Sequence, residues 1–350
     1  LGADAGRLWV VTRDTLSVHD IPGQAVIEPA VSRLLEALLS PGASLDGGRA
    51  VDDAARELAD LVLPPAGLDD GARLLVVPDG ALHRVPFAVL PRSGRPLVEE
   101  HEIALVPSMT GLALIREAAR STGDRFLGVG DPLPADDAVP ALPHTRREVE
   151  AIAALFPAGD STVLIGDAAT KASLADVDLE SYRFIHFATH GWLDERDRHT
   201  SGLRLSPAAG DPASSLLTLQ EIAGLTLSSE LVVLSACESA LGENVSGEGL
   251  LSLTRSLLYA GARSVAVSLW NVTDDSTGDL MTEVYRGLLD GLPASAALRR
   301  AQLSFLRSDR PARRQALRWA PFVVIGDPGG PVASTPNRAS AGATVTARVP

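Results

Sequence analysis

From Asp124 onward, short unbroken apolar runs alternate with stretches whose apolar residues recur every three or four positions. The runs fall at 126–129, 163–165, 184–188, 231–234, 265–269 and 322–325 and are built mainly of Val, Ile, Leu and Phe. A strand with no polar alternation has no face to turn to water, so it is buried on both sides. Such strands, separated by helices, define an α/β fold with a mainly parallel sheet flanked by helices. The intervening periodicity predicts helices over 145–156, 170–176, 248–259, 275–289 and 294–307.

The first third is more mixed. Residues 8–12 and 16–18 read as a hairpin turning at Arg13-Asp14, and helical spacing follows over 31–39 and 50–63. The second of these helices stops at Pro64-Pro65, where the amide donor is missing. Residues 73–77 form a short buried strand closed by the turn Pro78-Asp79-Gly80. Further strands are expected over 85–90 and 103–106, and Ser108 is placed to cap a helix running to about Arg120. The pattern restarts at Ser121-Thr122-Gly123-Asp124, which divides the chain into an α/β subdomain over 1–122 and a second unit over 123–330. The Ala-, Ser-, Thr- and Pro-containing tail, 331–350, has no periodicity and is expected to be disordered.

Composition narrows the partners. With 45% hydrophobic and 21% charged residues, the 350-residue chain is an ordinary globular protein of about two domains. A net charge of −13 argues against nucleic acid or an anionic membrane, both of which reward clustered Lys and Arg. No apolar stretch reaches the ~18–20 residues that span a bilayer. The chain opens on Leu1 rather than Met, as expected of a piece of a longer protein. One cysteine fits a reducing compartment, hence a cytoplasmic location.

That cysteine, Cys237, ends the run Leu231-Val232-Val233-Leu234-Ser235-Ala236. It has no partner for an internal disulfide, which leaves a packed small hydrophobe or a nucleophile. The run Phe184-Ile185-His186-Phe187-Ala188-Thr189 ends similarly in His190-Gly191, with 47 residues between the numbers of His190 and Cys237. In an open parallel sheet, ligands bind beyond the carboxyl ends of the strands, where both residues fall. A thiol with pKa near 8.5 gains from a neighbouring imidazole, which can take its proton and later return one to a leaving amine. The amides of Gly191 and Cys237 are candidates for an oxyanion hole. The polar, glycine-punctuated stretch 238–249 then opens a helix, as a binding loop does. His186 lies inside its strand and reads as a packed or hydrogen-bonded core residue. Gly128-Val129-Gly130 lacks the third glycine of a dinucleotide fingerprint, and 166–171 lacks the phosphate-loop Gly-Lys-Ser/Thr.

These residues resemble the CHAT family of clan CD cysteine peptidases, relatives of caspases and separase. The resemblance is carried by His186-Phe187-Ala188-Thr189-His190-Gly191, Leu234-Ser235-Ala236-Cys237-Glu238-Ser239 and Gly247-Glu248-Gly249-Leu250. It continues through Ala260-Gly261-Ala262, the stretch 268–274 and the stretch 319–326, and upstream through 77–87. It implies a caspase-like sheet in which His190 and Cys237 form a catalytic dyad and residues 1–122 form a pseudo-caspase subdomain. It also implies a cysteine endopeptidase acting on a protein substrate, with no metal or organic cofactor and with TPR-like helical repeats upstream as a regulatory region. The spacing agrees with the roughly 50 residues between histidine and cysteine in caspases. The chain departs from the caspase signature Gln-Ala-Cys-x-Gly, having Ser-Ala-Cys-Glu-Ser, so strict aspartate specificity is not implied.

The stretch 269–275 is similar to the separase segment that helps form the pocket for the residue before the scissile bond. Asp274 would then pair with a substrate Arg or Lys, with Trp270 as an apolar wall and Asp275 and Glu238 nearby. The alternative is that Thr273, Asp274 and Asp275 cap the following helix. Arg204 is the opposing candidate, favouring an acidic substrate residue. A caspase-like scaffold that no longer cleaves is the alternative function.

Overall fold

The computed structural model describes residues 1–40, 48–65, 68–69, 71–118, 123–135, 141–192, 201–208, 211–235, 247–270 and 274–329, and only the backbone at 247–250 and 274–276. Strands β1 (Ala5–Val11) and β2 (Leu16–Pro22) form the antiparallel hairpin expected from the sequence. Helices α1 (Gln24–Leu39) and α2 (Arg49–Val62) follow. They bury Ile27, Val31, Leu34 and Leu38 on one side and Ala55, Leu58, Ala59 and Val62 on the other, the three-to-four spacing of an amphipathic helix. Strand β3 (Arg73–Val76) comes next.

The strand expected over 85–90 does not form. Two short 3-10 turns, Gly80–Arg84 and Phe87–Val89, stand there instead. Pro86 between them has no N–H to give a ladder, and Pro91 follows. Val85, Phe87, Ala88, Val89 and Leu90 are nonetheless all buried, so the apolar run signalled burial rather than pairing. A small hairpin of β4 (Pro91–Arg92) and β5 (Arg95–Pro96) leads through α3 (Leu97–Glu100) to β6 (Glu102–Leu105). Ser108 caps α4 (Met109–Glu117), its hydroxyl accepting from the Gly111 amide at 2.9 Å. The expected end of this helix at Arg120, and the restart at 121–122, lie outside the described residues.

The alternating region contains β7 (Arg125–Pro132), α5 (Pro143–Ala153), β8 (Ser161–Gly166), α6 (Lys171–Ala175) and β9 (Tyr182–Ala188). Three short strands, β10 (Gly191–Trp192), β11 (Gly202–Arg204) and β12 (Leu216–Thr218), make a side sheet and pass through α7 (Leu219–Ala223) to β13 (Leu231–Leu234). Then come α8 (Gly247–Tyr259), β14 (Ser264–Ser268), α9 (Asp274–Leu289), α10 (Ala294–Leu306), the short α11 (Pro311–Arg314) and α12 (Ala316–Trp319), and β15 (Phe322–Gly326). The tail 331–350 is outside the described residues.

Eight strands form the main sheet in the order β3-β6-β15-β14-β13-β9-β7-β8. Every neighbouring pair is parallel except β14 with β15. Strands β3 and β6 of the first third therefore join the later strands through β15 in one sheet. The central strands β13 and β14 are buried at every residue, which is why they show no polar alternation. No helix among the described residues is long and apolar enough to cross a membrane.

The glycine pair of Gly128-Val129-Gly130 has a packing reason. Helix α5 lies so close to β7 that a Cβ at Gly128 would overlap the Val149 side chain and sit 2.9 Å from the Phe126 ring. A Cβ at Gly130 would meet Val149 at 2.9 Å. Both neighbours are fully buried and cannot swing away. Gly128→Ala is expected to destabilise the fold by about 1–3 kcal/mol, the cost of overpacking a core. A urea midpoint equal to that of the parent would contradict this.

Candidate active site

Strands β9 and β13 are hydrogen-bonded neighbours running in the same direction. Leu231 lies opposite Phe184 and Leu234 opposite Phe187, so partners in this register differ by 47 in residue number. The pairing continues one residue beyond β13, since the Ser235 amide donates to the Phe187 carbonyl at 3.0 Å. Thr189 and His190 follow β9 and are each only 1% exposed. The His190 carbonyl accepts from the Arg204 amide at 2.8 Å, which ties the chain just past β9 to the end of β11.

That bond also fixes the polarity of the next residue. Gly191 pairs with Leu203 in the antiparallel β10–β11 ladder. Because the Arg204 amide bonds to the residue opposite it, Gly191 and Leu203 form the adjacent non-bonded pair, and the Gly191 amide points away from β11. Strand β12 then packs so closely on β11 that a Cβ at Gly202 would overlap the Leu217 carbonyl.

The carboxyl edge of the sheet collects buried polar atoms. The hydroxyls of Thr189 after β9, Ser235 after β13 and Thr277 in the first turns of α9 are buried, with no hydrogen-bond partner among the described residues. Buried hydroxyls of this kind are uncommon in native cores, and each calls for a physical reason. Continuing the ladder by one step sets Ser235 level with Ala188, on the same face as His186.

His186 is fully buried and committed elsewhere. Its Nε2 lies 3.1 Å from Glu148 Oε1 on α5 and its Nδ1 lies 3.3 Å from the Tyr285 hydroxyl on α9. Phe126, Phe156 and Phe184 pack around Tyr285. Burial, aided by the Glu148 charge, pushes the Tyr285 phenol well above its ordinary range, so it stays a proton donor. The network pins β9 to the two helices on this side of the sheet.

The remaining sequence-derived residues divide clearly. Trp270, at the carboxyl end of β14, is only 6% exposed; its indole N–H donates to the Leu317 carbonyl at 3.2 Å, and its own carbonyl accepts from Ser268 at 2.6 Å. Helix α9 begins at Asp274, which puts Asp274 and Asp275 in its first turn, where acids offset the positive end of the helix. The guanidinium of Arg204 lies 4.3 Å over the Trp192 ring, and its Nη1 donates to Ser215 Oγ at 3.3 Å. Cys237 and Glu238, and the side chains of Asp274 and Asp275, lie outside the described residues. Sequence reasoning passed over Thr189, Ser235 and Trp192. The first two were visible as polar residues at the ends of apolar runs, immediately before or two before the residues singled out. Among the described residues, no three His, Cys, Asp or Glu side chains converge as a metal site.

The described residues form an α/β fold around a mainly parallel sheet, with a histidine closing one strand and, in the sequence, a lone cysteine after its parallel neighbour. The model of the CHAT domain matches residues 52–327, and the chain belongs to the CHAT domain family. Among curated proteins it is similar to human tetratricopeptide repeat protein 28, 27% identical over 332 residues, covering 77% of this chain and 13% of that protein. The mouse protein of the same name is 28% identical over the same shares. The chain thus spans about an eighth of the length of these relatives. Among solved structures it is similar to Saccharomyces cerevisiae separase in its complex with securin, with TM-score 0.46, 18% identity and coverage of 71% of this chain and 15% of separase. It is also similar to the Arg-specific cysteine proteinase gingipain R, with TM-score 0.48, 12% identity and coverage of 87% and 74%.

Proposed function

We propose that the chain is a cysteine endopeptidase that cleaves a protein substrate through Cys237 and His190. The observation that carries this reading is a coincidence of register. Described partners on β13 and β9 differ by 47, and so do Cys237 and His190. Cys237 is two residues beyond Ser235, which is still bonded to β9, and two residues of chain reach no more than about 7 Å. That bound supports a reading in which the thiol and the imidazole share one edge.

In this reading the Cys237 thiol gives its proton to His190, and the thiolate attacks the scissile carbonyl carbon. The carbonyl oxygen takes up the electron pair and is held by the amides of Gly191 and Cys237. Collapse of the tetrahedral species expels the amine, which takes the proton from His190 and leaves an acyl-enzyme thioester. Water, deprotonated by His190, then attacks the thioester, releases the acid and restores the thiol. The outward-turned Gly191 amide and the small size of glycine both support the oxyanion role.

Residues 123–330 would carry this chemistry and 1–122 a non-catalytic half that lengthens the sheet through β3 and β6. The repeat-containing relatives support regulation by helical repeats outside this chain, and the single thiol supports a reducing, cytoplasmic setting. Those relatives are named for their repeats rather than for an activity, which favours a non-cleaving interaction module as the second reading. Cys237→Ala decides between them. Cleavage of a peptide library should vanish while the thermal unfolding curve stays in place. Undiminished cleavage by this variant sinks the enzyme reading.

A further inference from the structure

Arg204 is held beside the reacting edge by its backbone. Its amide bonds to the His190 carbonyl at 2.8 Å, and opposed residues of such a pair have Cα atoms about 5.5 Å apart. Alternation along β11 sends Leu203 into the core at 1% exposure and Arg204 to the other face, which it shares with Trp192 across the ladder. The guanidinium is fixed there by two contacts, the Trp192 ring at 4.3 Å and Ser215 Oγ at 3.3 Å. Stacking holds the plane of the fork, and the serine holds one end of it.

Among the described residues this side chain meets no anion. Arg204 forms no ion pair with a carboxylate among the described residues, and its Nε is buried there without an acceptor. Other partly covered arginines are matched. Arg183 meets Asp124 and Glu230, Arg263 meets Asp327, and Arg299 donates to the carbonyls of Val98 and Glu99. In a chain with 44 acidic against 31 basic residues, a held guanidinium with a donor unused among the described residues is costly to keep without a counterpart.

We propose that Arg204, stacked on Trp192, recognises an acidic side chain in a substrate residue flanking the scissile bond. A substrate carboxylate would meet the end of the guanidinium that Ser215 does not hold, in the charge-assisted bonding for which a fork of N–H donors is suited. Asp274, the residue that would favour a basic substrate, stands at the start of α9, where the positive end of a helix also favours an acid. The assignment rests on the peptidase reading above and selects its substrate class.

The test is a peptide library in which Glu, Gln or Lys is scanned through each position around the cleaved bond, run on the parent, Arg204→Gln, Arg204→Lys, Arg204→Glu and Asp274→Asn. The parent should prefer Glu over Gln at one flanking position by about tenfold or more in kcat/KM, mostly through KM. Arg204→Gln should bring that ratio to about one, chiefly by raising KM for the Glu peptides. Arg204→Lys, which keeps the charge and the fold but loses the fork, should retain part of the preference, and Arg204→Glu should shift it to Lys. A parent without acidic preference at any position, or a preference that survives in Arg204→Gln, overturns the assignment and leaves the peptidase intact. So does a basic preference abolished only by Asp274→Asn. If no peptide is cleaved and an electrophilic peptide probe does not label Cys237, the peptidase reading falls and takes this one with it.

Discussion

His190→Ala is expected to lower kcat/KM for a cleaved peptide by about 10²–10⁴-fold, the range over which a positioned acid–base group accelerates a reaction. The loss should appear in kcat with KM nearly unchanged, because in the proposed mechanism the imidazole moves protons in the transition state and does little to hold the substrate. The backbone contribution of this residue survives the substitution, since it is the His190 carbonyl that receives the Arg204 amide. Thermal unfolding should therefore move far less than activity does. The variant should also lose the limb of the pH–rate profile set by the imidazole, leaving only the slow rise of an unassisted thiol. A variant that keeps the parent profile at reduced amplitude would mean that His190 shapes the edge without taking part in proton transfer.

Arg263→Met is expected to lower stability by about 3–5 kcal/mol, the usual penalty for leaving one member of a buried ion pair without its partner. Arg263 and Asp327 are 6% and 5% exposed and meet at 2.5 Å. The Asp327 amide also donates to the Arg263 carbonyl at 2.9 Å, and Arg263 reaches the Ile115 carbonyl at 3.3 Å. This pair fastens α4 and the chain after β15 to the start of β14. Arg116 also contacts Asp327, at 3.2 Å, but it is a more exposed side chain and cannot replace the lost donor. Burial acts to raise the Asp327 carboxyl, yet the bonds from Arg263 and Arg116 outweigh it and hold it below the ordinary range. A depressed folded-state value gives stability that is present above the unfolded value, near ~3.9, and lost as pH falls through the folded one. Removing Arg263 should flatten that acid limb, which urea titrations of parent and variant between about pH 2.5 and 7 would reveal. Equal midpoints at neutral pH would contradict the role given to the pair.

Much of the sheet was legible because burial on both faces writes itself as unbroken apolar residues; β9, β13 and β14 are of this kind. The segment after β3 misled for the same reason. Residues 85–90 are buried, but Pro86 removes a ladder donor, and hydrophobicity alone does not distinguish a strand from a packed 3-10 turn. Strand order was not legible. Nothing local in Phe322-Val323-Val324-Ile325 says that it inserts antiparallel to β14 and joins it to β6, because that choice is made by long-range packing. At the site, His190 stood out as a histidine closing an apolar run. The stack of Arg204 on Trp192 did not, since it depends on the cross-strand pairing of Trp192 with Gly202 ten residues later. The partners of His186 were equally hidden, as Glu148 and Tyr285 come from helices far away in sequence.

The most direct measurement on the central claim is the rate at which iodoacetamide alkylates Cys237 as a function of pH, in the parent and in His190→Ala. The account predicts a parent thiol that reacts faster than free cysteine near pH 6–7, with the advantage lost when the imidazole is removed. A Cys237 no more reactive than free cysteine, with a pH dependence indifferent to His190, would contradict it.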